Sequence, residues 1–325
     1  MLIGFFSKTT ARRLLSFLPL LALVLWINGF VIKQDIEIQH CMPLYEMFKP
    51  LFGFSLISTF IALLFIVAEA FLLNFIIDKN EVLSKPSFLP ALLYIIFMSI
   101  DNSMLVLHPS VLANLFVLLA IYVLTDSYRK NSAFSNAFDA GALFSIATLF
   151  YAPVFIVLPL LGIGLFIFRP FNWREWIICA IGLLMPFLFV LAFYFWNERL
   201  DYFWSDKIVY SIVKPSINYS SVFYVLVGII LIIIFLSLGN LFRNLTGVSQ
   251  KKIKITQLLI WLSVFALLSL QRAPSVSCKY FSLFAIPVSV FCAEYLLSVK
   301  RKWWSELLFT ILFVSLIINL TLIYF

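Results

Sequence analysis

Two carboxylates, Asp35 and Glu37, follow the first long apolar segment of the chain and are separated by a single residue. A carboxylate in that position could act as a general base or bind a divalent cation. Three basic residues, Arg199, Arg272 and Lys279, lie near aromatic residues in later polar segments. Such cations can hold the phosphate of an anionic lipid headgroup or a pyrophosphate. The alternative is a set of solvated loops in which acids and bases pair with one another.

The composition of the chain predicts an integral membrane protein. Of its 325 residues, 63% are hydrophobic and 12% are charged, and the mean hydropathy is +1.07. Soluble domains carry about 25% charged residues, so this chain suits lipid better than water. The net charge of +8 accompanies no motif typical of nucleic-acid binding, and no nucleic acid is expected as a partner. The two histidines and four cysteines match no zinc-binding spacing.

The apolar segments predict an all-α transmembrane bundle of about eleven helices, with the N-terminus inside and the C-terminus outside. The first segment is too long for the apolar core of a signal peptide, and no small-residue cleavage site follows it. Residues 1–325 are expected to form a single membrane domain, because no polar segment is long enough for a soluble one. The predicted crossings are residues 14–32, 51–77, 86–100, 111–124, a hairpin over 140–168, then 177–195, 222–241, 255–270, 281–299 and a last crossing ending at 325.

The hairpin over residues 140–168 decides the topology of everything that follows it. As one helix this segment would be about 43 Å long, against a hydrocarbon core of about 30 Å. A hairpin that turns at residues 151–153 places 16 Lys and Arg residues inside and 7 outside, whereas a single helix gives 12 and 11. Cytoplasmic loops carry an excess of Lys and Arg, so the positive-inside rule favours the hairpin.

The second arm of the hairpin predicts a recess on the outer face. Residues 154–168 would form a helix of only about 22 Å, and Arg169 should stay at the inner interface because a guanidinium is costly at depth. Tyr151 and Pro153 should therefore turn below the outer surface and floor a recess that holds a lipid headgroup. The first outer loop and residues 271–280 would form its rim. The alternatives are a locally thinned bilayer or a helix that continues past Pro153.

Four polar residues lie within or near the predicted crossings, namely Glu69, Asn74, Asp139 and Glu294. An intramembrane carboxylate is costly and marks a candidate site. Glu69 and Glu294 are expected within about two turns of the inner surface, where either could be protonated or reach a lysine. Asp139 and Asn136 are nearly one helical turn apart and share a face, which favours hydrogen bonds between helices.

Two of the four cysteines, Cys41 and Cys278, fall in predicted outer loops. They could form a disulfide if the compartment is oxidising. Cys179 and Cys292 lie in or near predicted helices and are expected to be inert.

Two stretches of the chain, LHPSVLANLF and FDAGALFSIATLFYAPVF…FRPFNWREW, resemble a family of polytopic bacterial inner-membrane proteins with no established function. The resemblance covers most of the chain and implies location in the bacterial inner membrane. More distantly, the layout is similar to the membrane part of the GT-C glycosyltransferases, which use lipid-linked sugar donors. Three features carry this likeness: the acids after the first helix, the AGLxxGLAxLxK-like start of Ala140–Phe150, and the RYxxPxxP-like run Cys278-Lys279-Tyr280…Pro287.

Two classes of function follow from these resemblances. The first is an enzyme, or a degenerate enzyme, that handles a polyprenyl-phosphate-linked sugar at the outer leaflet. Asp35 or Glu37 would then be the base or the ligand of a divalent cation, and Arg272 and Lys279 would hold the donor phosphate. The chain lacks the adjacent Asp-Glu pair and the soluble outer domain of that superfamily. The second class is a non-catalytic membrane subunit or scaffold of an envelope-biogenesis or secretion complex.

Overall fold

The computed structural model describes residues 11–31, 42–48, 55–100, 105–130, 132–203, 249–269 and 282–299, with single residues and short runs between 303 and 314. All regular secondary structure in these ranges is helical, as the sequence predicts. The sides of the membrane on which the two termini lie, and the total number of crossings, stay predictions.

The helices are numbered here in chain order. They are α1 Ala11–Leu25, α2 Ile27–Val31, α3 Pro43–Phe48, α4 Ser55–Lys79, α5 Leu89–Met98, α6 Pro109–Asp126, α7 Phe134–Phe150, a 3-10 helix Ala152–Val157, α8 Pro159–Phe168, α9 Trp173–Trp196, α10 Leu200–Tyr202, α11 Gln250–Ser269 and α12 Ser282–Ser298.

Four of these helices, α4, α6, α9 and α11, are long and apolar enough to cross a membrane. Each has 18 residues or more, with a mean hydropathy of 1.5 to 2.6 over its most apolar window. A helix of 20 residues extends about 30 Å, which matches the hydrocarbon core. They coincide with the predicted second, fourth, seventh and ninth crossings.

Helix α5 lies in the middle of the described bundle and is much shorter than the predicted third crossing. All ten of its residues are buried, and it packs against α1, α4 and α12. Pro90 stands in its first turn, where a missing N–H costs nothing. The helix ends at Met98, so its ten residues rise only about 15 Å.

The first predicted crossing is broken at Trp26. Helix α1 ends one residue before it and α2 begins one residue after it. The buried Trp26 indole N–H donates to Ser99 Oγ at 3.0 Å. Gly29 lets α2 approach Leu105 closely, because a Cβ at Gly29 would lie 2.9 Å from the Leu105 Cβ. Specific contacts with the loop after α5 therefore accompany this interruption.

The chain turns back on itself between α7 and α8. Tyr151 is extended, Pro153 lies in the first turn of the 3-10 helix, and Pro159 starts α8. The Arg169 guanidinium then donates to the backbone carbonyl of Lys130, so the end of α8 lies beside the start of α7. The chain thus reverses direction over the residues of the predicted hairpin. Its second arm differs, because the two prolines divide it into a 3-10 turn and a short α-helix.

Two ends of the bundle can now be distinguished. The Arg169 end holds Arg169, its ion-pair partner Glu175 at 2.6 Å, and the pair between Lys79 and Asp126 at 2.8 Å. The Tyr151 end holds Tyr151 and helix α3. The sequence predicts that the Arg169 end is cytoplasmic.

Candidate functional site

Most of the predicted catalytic and phosphate-binding residues lie outside the described residues. These are Asp35, Glu37, Arg272 and Lys279. The two cysteines of the predicted disulfide, Cys41 and Cys278, also lie outside the described residues. Their predicted roles, including a divalent cation held by the acids and the disulfide, stay predictions. Arg199 is described: it is exposed and directly precedes the short helix α10.

Tyr151 and Pro153, the predicted floor of the recess, are both buried. The Tyr151 ring meets the buried His108 imidazole edge-on, with 5.8 Å between ring centroids. His108 caps α6 by accepting a hydrogen bond from the backbone N–H of Ser110 at 3.2 Å. The tip of the hairpin is thereby fixed against the start of α6. The rim over residues 271–280 lies outside the described residues, so the recess stays a prediction.

Helix α3 forms the end of the predicted first outer loop, and it is anchored at the Tyr151 end. The Tyr45 hydroxyl donates to the Leu107 carbonyl at 2.7 Å. The Phe48 ring stacks on Phe150 at 6.1 Å, and Phe150 stacks on Phe116 at 5.5 Å. The loop that contains Asp35 and Glu37 thus ends in a helix that contacts Leu107, just before α6, and Phe150 of α7.

The loop that carries the predicted phosphate-binding cations ends on the same helix. Asn114 of α6 donates through its side-chain amide to the Ser282 carbonyl at 3.0 Å. Ser282 is the first described residue of α12, directly after residues 270–281. Leu107 lies two residues before the start of α6 at Pro109, and Asn114 lies five residues after it.

Glu69 stands at the centre of a buried polar cluster that comprises Glu69, Tyr94, Asn114 and Ser282. All four residues have zero relative exposure. The Tyr94 hydroxyl donates to Glu69 Oε2 at 2.7 Å and accepts from the Asn114 amide at 3.2 Å. Glu69 lies about 14 Å along α4 from Asp78, which is about two and a half helical turns. Sequence reasoning found Glu69 but missed Tyr94 and Asn114, although an asparagine within the apolar run of α6 was a usable signal.

Glu294 has a structural role in the described bundle. Its carboxylate pairs with Lys252 Nζ at 3.1 Å and accepts from the backbone N–H and hydroxyl of Ser84 at 2.9 and 3.2 Å. The expectation that one of the two glutamates reaches a lysine is therefore confirmed for Glu294. The ion pair ties α11 to α12 and to the loop after α4.

The remaining polar residues within the crossings also find partners. Asn136 donates to the Val123 carbonyl at 3.1 Å, which is the expected hydrogen bond between helices. Asp139 instead accepts from Ser135 within α7, at 3.2 Å. Asn74 donates to Asp78 at 2.8 Å. Over the described ranges, no group of three or more His, Cys, Asp or Glu side chains is arranged to hold a metal ion.

These features define a helical protein with several apolar helices of membrane-spanning length and a polar cluster in its interior. Residues 16–324 match a family of unknown function, DUF6427, and the chain belongs to this family. No curated protein and no solved structure matches it. The predicted membership in an uncharacterised family is thus confirmed.

Proposed function

We propose that this chain is a multi-pass protein of the bacterial inner membrane that handles a polyprenyl-phosphate-linked sugar, with a layout like the membrane part of the GT-C glycosyltransferases. The observation that carries the proposal is the convergence of two chain segments on the first turns of α6 and the residues just before it. The segment after Asp35 and Glu37 ends at Leu107, and the segment after Arg272 and Lys279 ends at Asn114.

Chain length limits how far the cations can lie from this convergence. Lys279 precedes Ser282 by three residues, which span at most about 10 Å. An ammonium or guanidinium group in that region can bind the phosphate of a lipid-linked donor. Arg199 is exposed in the connection after α9 and is a third candidate contact.

The acids supply the chemistry in this proposal. Asp35 or Glu37 takes the proton from the acceptor hydroxyl. Alternatively, these acids would hold a divalent cation, which would supply Lewis acidity to that hydroxyl. The acceptor oxygen bonds to the sugar C1, and the polyprenyl phosphate leaves with the electron pair of the broken C1–O bond. The hairpin tip at Tyr151 and Pro153 would close the floor of the site.

Native mass spectrometry of the detergent-extracted protein tests the lipid. We expect a bound polyprenyl-phosphate species that falls at least tenfold in Arg272→Gln/Lys279→Gln. Arg174→Gln at the opposite end is the matched control and should retain the lipid. A second measurement, sugar release from a polyprenyl-phosphate donor, should be lost in Asp35→Asn/Glu37→Gln while the lipid stays bound. A protein that carries no such lipid, or retains it equally in the cation variant, contradicts the proposal.

The second candidate is a non-catalytic membrane subunit, and the dense packing of the described helices favours it. All ten residues of α5 are buried, and Trp26, Tyr94, Phe144 and Phe291 are fully enclosed. A scaffold needs a rigid, well-packed bundle and no internal binding space. Cross-linking in native membranes distinguishes the two functions. A stoichiometric protein partner, without a co-purified lipid-linked sugar, supports the scaffold.

A further inference from the structure

Glu69 and Tyr94 of the polar cluster have no role in the function proposed above, and Asn114 and Ser282 enter it only through the contact that anchors the start of α12. Three oxygens of the cluster, Glu69 Oε1, Asn114 Oδ1 and Ser282 Oγ, are buried without a hydrogen-bond partner. Buried polar groups are nearly always paired, because an unpaired one costs about 1–3 kcal/mol. Three such oxygens in one cluster indicate that something binds them.

Hydrogen bonds join the residues that carry these oxygens into one cluster. Glu69 Oε2 is 2.7 Å from the Tyr94 hydroxyl, which is 3.2 Å from the Asn114 amide nitrogen. That nitrogen is in turn 3.0 Å from the Ser282 carbonyl oxygen. Each unpartnered oxygen belongs to a residue that makes at least one of these hydrogen bonds. Helices α4, α5, α6 and α12 each supply one residue, so the bundle itself shapes the site.

The chemistry of the unpartnered atoms selects the ligand. A carboxylate oxygen and an amide oxygen are acceptors, and a serine hydroxyl can also accept. Among the described residues, Glu69 makes no ion pair; its carboxyl group faces Tyr94 and the backbone of Leu115. Hard cations prefer oxygen ligands, and one carboxylate balances one positive charge. We propose that this cluster binds one monovalent cation, which is either Na⁺ or a proton.

The position of the cluster indicates the end of the bundle that lies nearest to it. Helix α5 ends at Met98, one turn beyond Tyr94, and Asn114 lies five residues after the start of α6. Non-helical backbone therefore begins close above the cluster, towards the Tyr151 end. Such backbone at membrane depth is tolerated where it is buried in protein or lines a wet cavity. The cation would enter from that end.

The test is thermal unfolding of the full-length protein in detergent, with NaCl replaced by choline chloride at constant ionic strength. For Na⁺, we expect saturating NaCl to raise the apparent melting temperature by about 3–8 °C, since a ligand stabilises the state that binds it. Glu69→Gln should remove this shift. Glu294→Gln is the matched control, because Glu294 already pairs with Lys252, and it should keep the shift.

A proton gives a different result in the same assay. In choline chloride, the difference in melting temperature between wild type and Glu69→Gln would then change between pH 5.5 and pH 8, and NaCl would have no specific effect. If Glu69→Gln does not fold, Tyr94→Phe and Asn114→Ala replace it and should weaken the response at least fivefold. Equal responses of wild type and these variants to both NaCl and pH overturn the proposal. The lipid assay above does not depend on this result.

Discussion

The crossing of α7 and α9 depends on two glycines, and replacing them tests the described packing. A Cβ on Gly141 would lie 2.3 Å from the Cys179 carbonyl oxygen, and a Cβ on Gly182 would lie 2.2 Å from the Phe138 carbonyl oxygen. Both obstacles are backbone atoms, which cannot rotate away. Small residues at helix interfaces in membranes allow such close approach.

The expected magnitude follows from two opposing effects of Gly→Ala. Helix propensity favours alanine by about 1 kcal/mol. Overpacking costs about 1–3 kcal/mol, and here a contact of normal length requires the helices to separate by roughly 1 Å. Helix α9 has few buried contacts besides those with α7, since only 11% of its most apolar window is buried, so packing that is lost between the two helices is not replaced elsewhere. We therefore expect Gly141→Ala and Gly182→Ala to lower the melting temperature by several degrees.

Gly162→Ala is the matched control for this experiment. It lies in the helical interior of α8, and its Cβ would meet only the Trp176 ring, at 3.3 Å. A side chain can shift by a few tenths of an ångström, so propensity should dominate and the melting temperature should stay unchanged or rise. The assay is thermal unfolding of the purified variants in one detergent. If all three variants are equally or more stable than wild type, α7 and α9 do not cross as described.

Three further predictions concern the ends of the bundle. Arg169→Gln should lower the free energy of unfolding by about 3–5 kcal/mol, because it removes the ion-pair partner of the buried Glu175 carboxylate. Asp126→Asn, in exposed ion pairs, should lower it by about 1 kcal/mol or less. A larger loss for Asp126→Asn than for Arg169→Gln would contradict this prediction. Ser99→Ala should cost about 1–3 kcal/mol because it removes the acceptor of a buried indole N–H, and an unchanged melting temperature would exclude that hydrogen bond. For topology, single cysteines are introduced into a cysteine-free background and an impermeant thiol reagent is applied from outside. It should fail to label Lys251→Cys, and it should label Tyr151→Cys once the protein is unfolded in intact cells. Labelling at position 251 alone would show that the orientation is the opposite one.

The long helices were predictable from the sequence because hydropathy over about 20 residues needs no tertiary information. The hairpin was predictable from the length of its segment and from the distribution of Lys and Arg over the whole chain, neither of which needs tertiary information. The interruption at Trp26 was not, because its partner, Ser99, is distant in sequence. The short extent of α5 was missed for a similar reason: an apolar run indicates burial, but protein and lipid surroundings give the same pattern.

The candidate sites divide in the same way. A glutamate within an apolar segment is recognisable from the sequence as a candidate site residue, so Glu69 was found. Its partner Tyr94, and Asn114, which donates to Tyr94, lie 25 and 45 residues away, and only the packing of α4, α5 and α6 brings the three together. Glu294 shows the limit of the argument, because the same signal led there to an ordinary ion pair with Lys252.

The two proposed sites share one residue, Asn114, and this connects them physically. Its amide nitrogen holds both the Tyr94 hydroxyl of the interior cluster and the Ser282 carbonyl, which ends the segment containing Lys279. A cation that binds Asn114 Oδ1 would also fix the orientation of that amide, and with it the anchor of the phosphate-binding segment. If both sites exist and are coupled through this amide, thermodynamic linkage requires reciprocity. The cation would then change the affinity for the lipid by the same factor as the lipid changes the affinity for the cation.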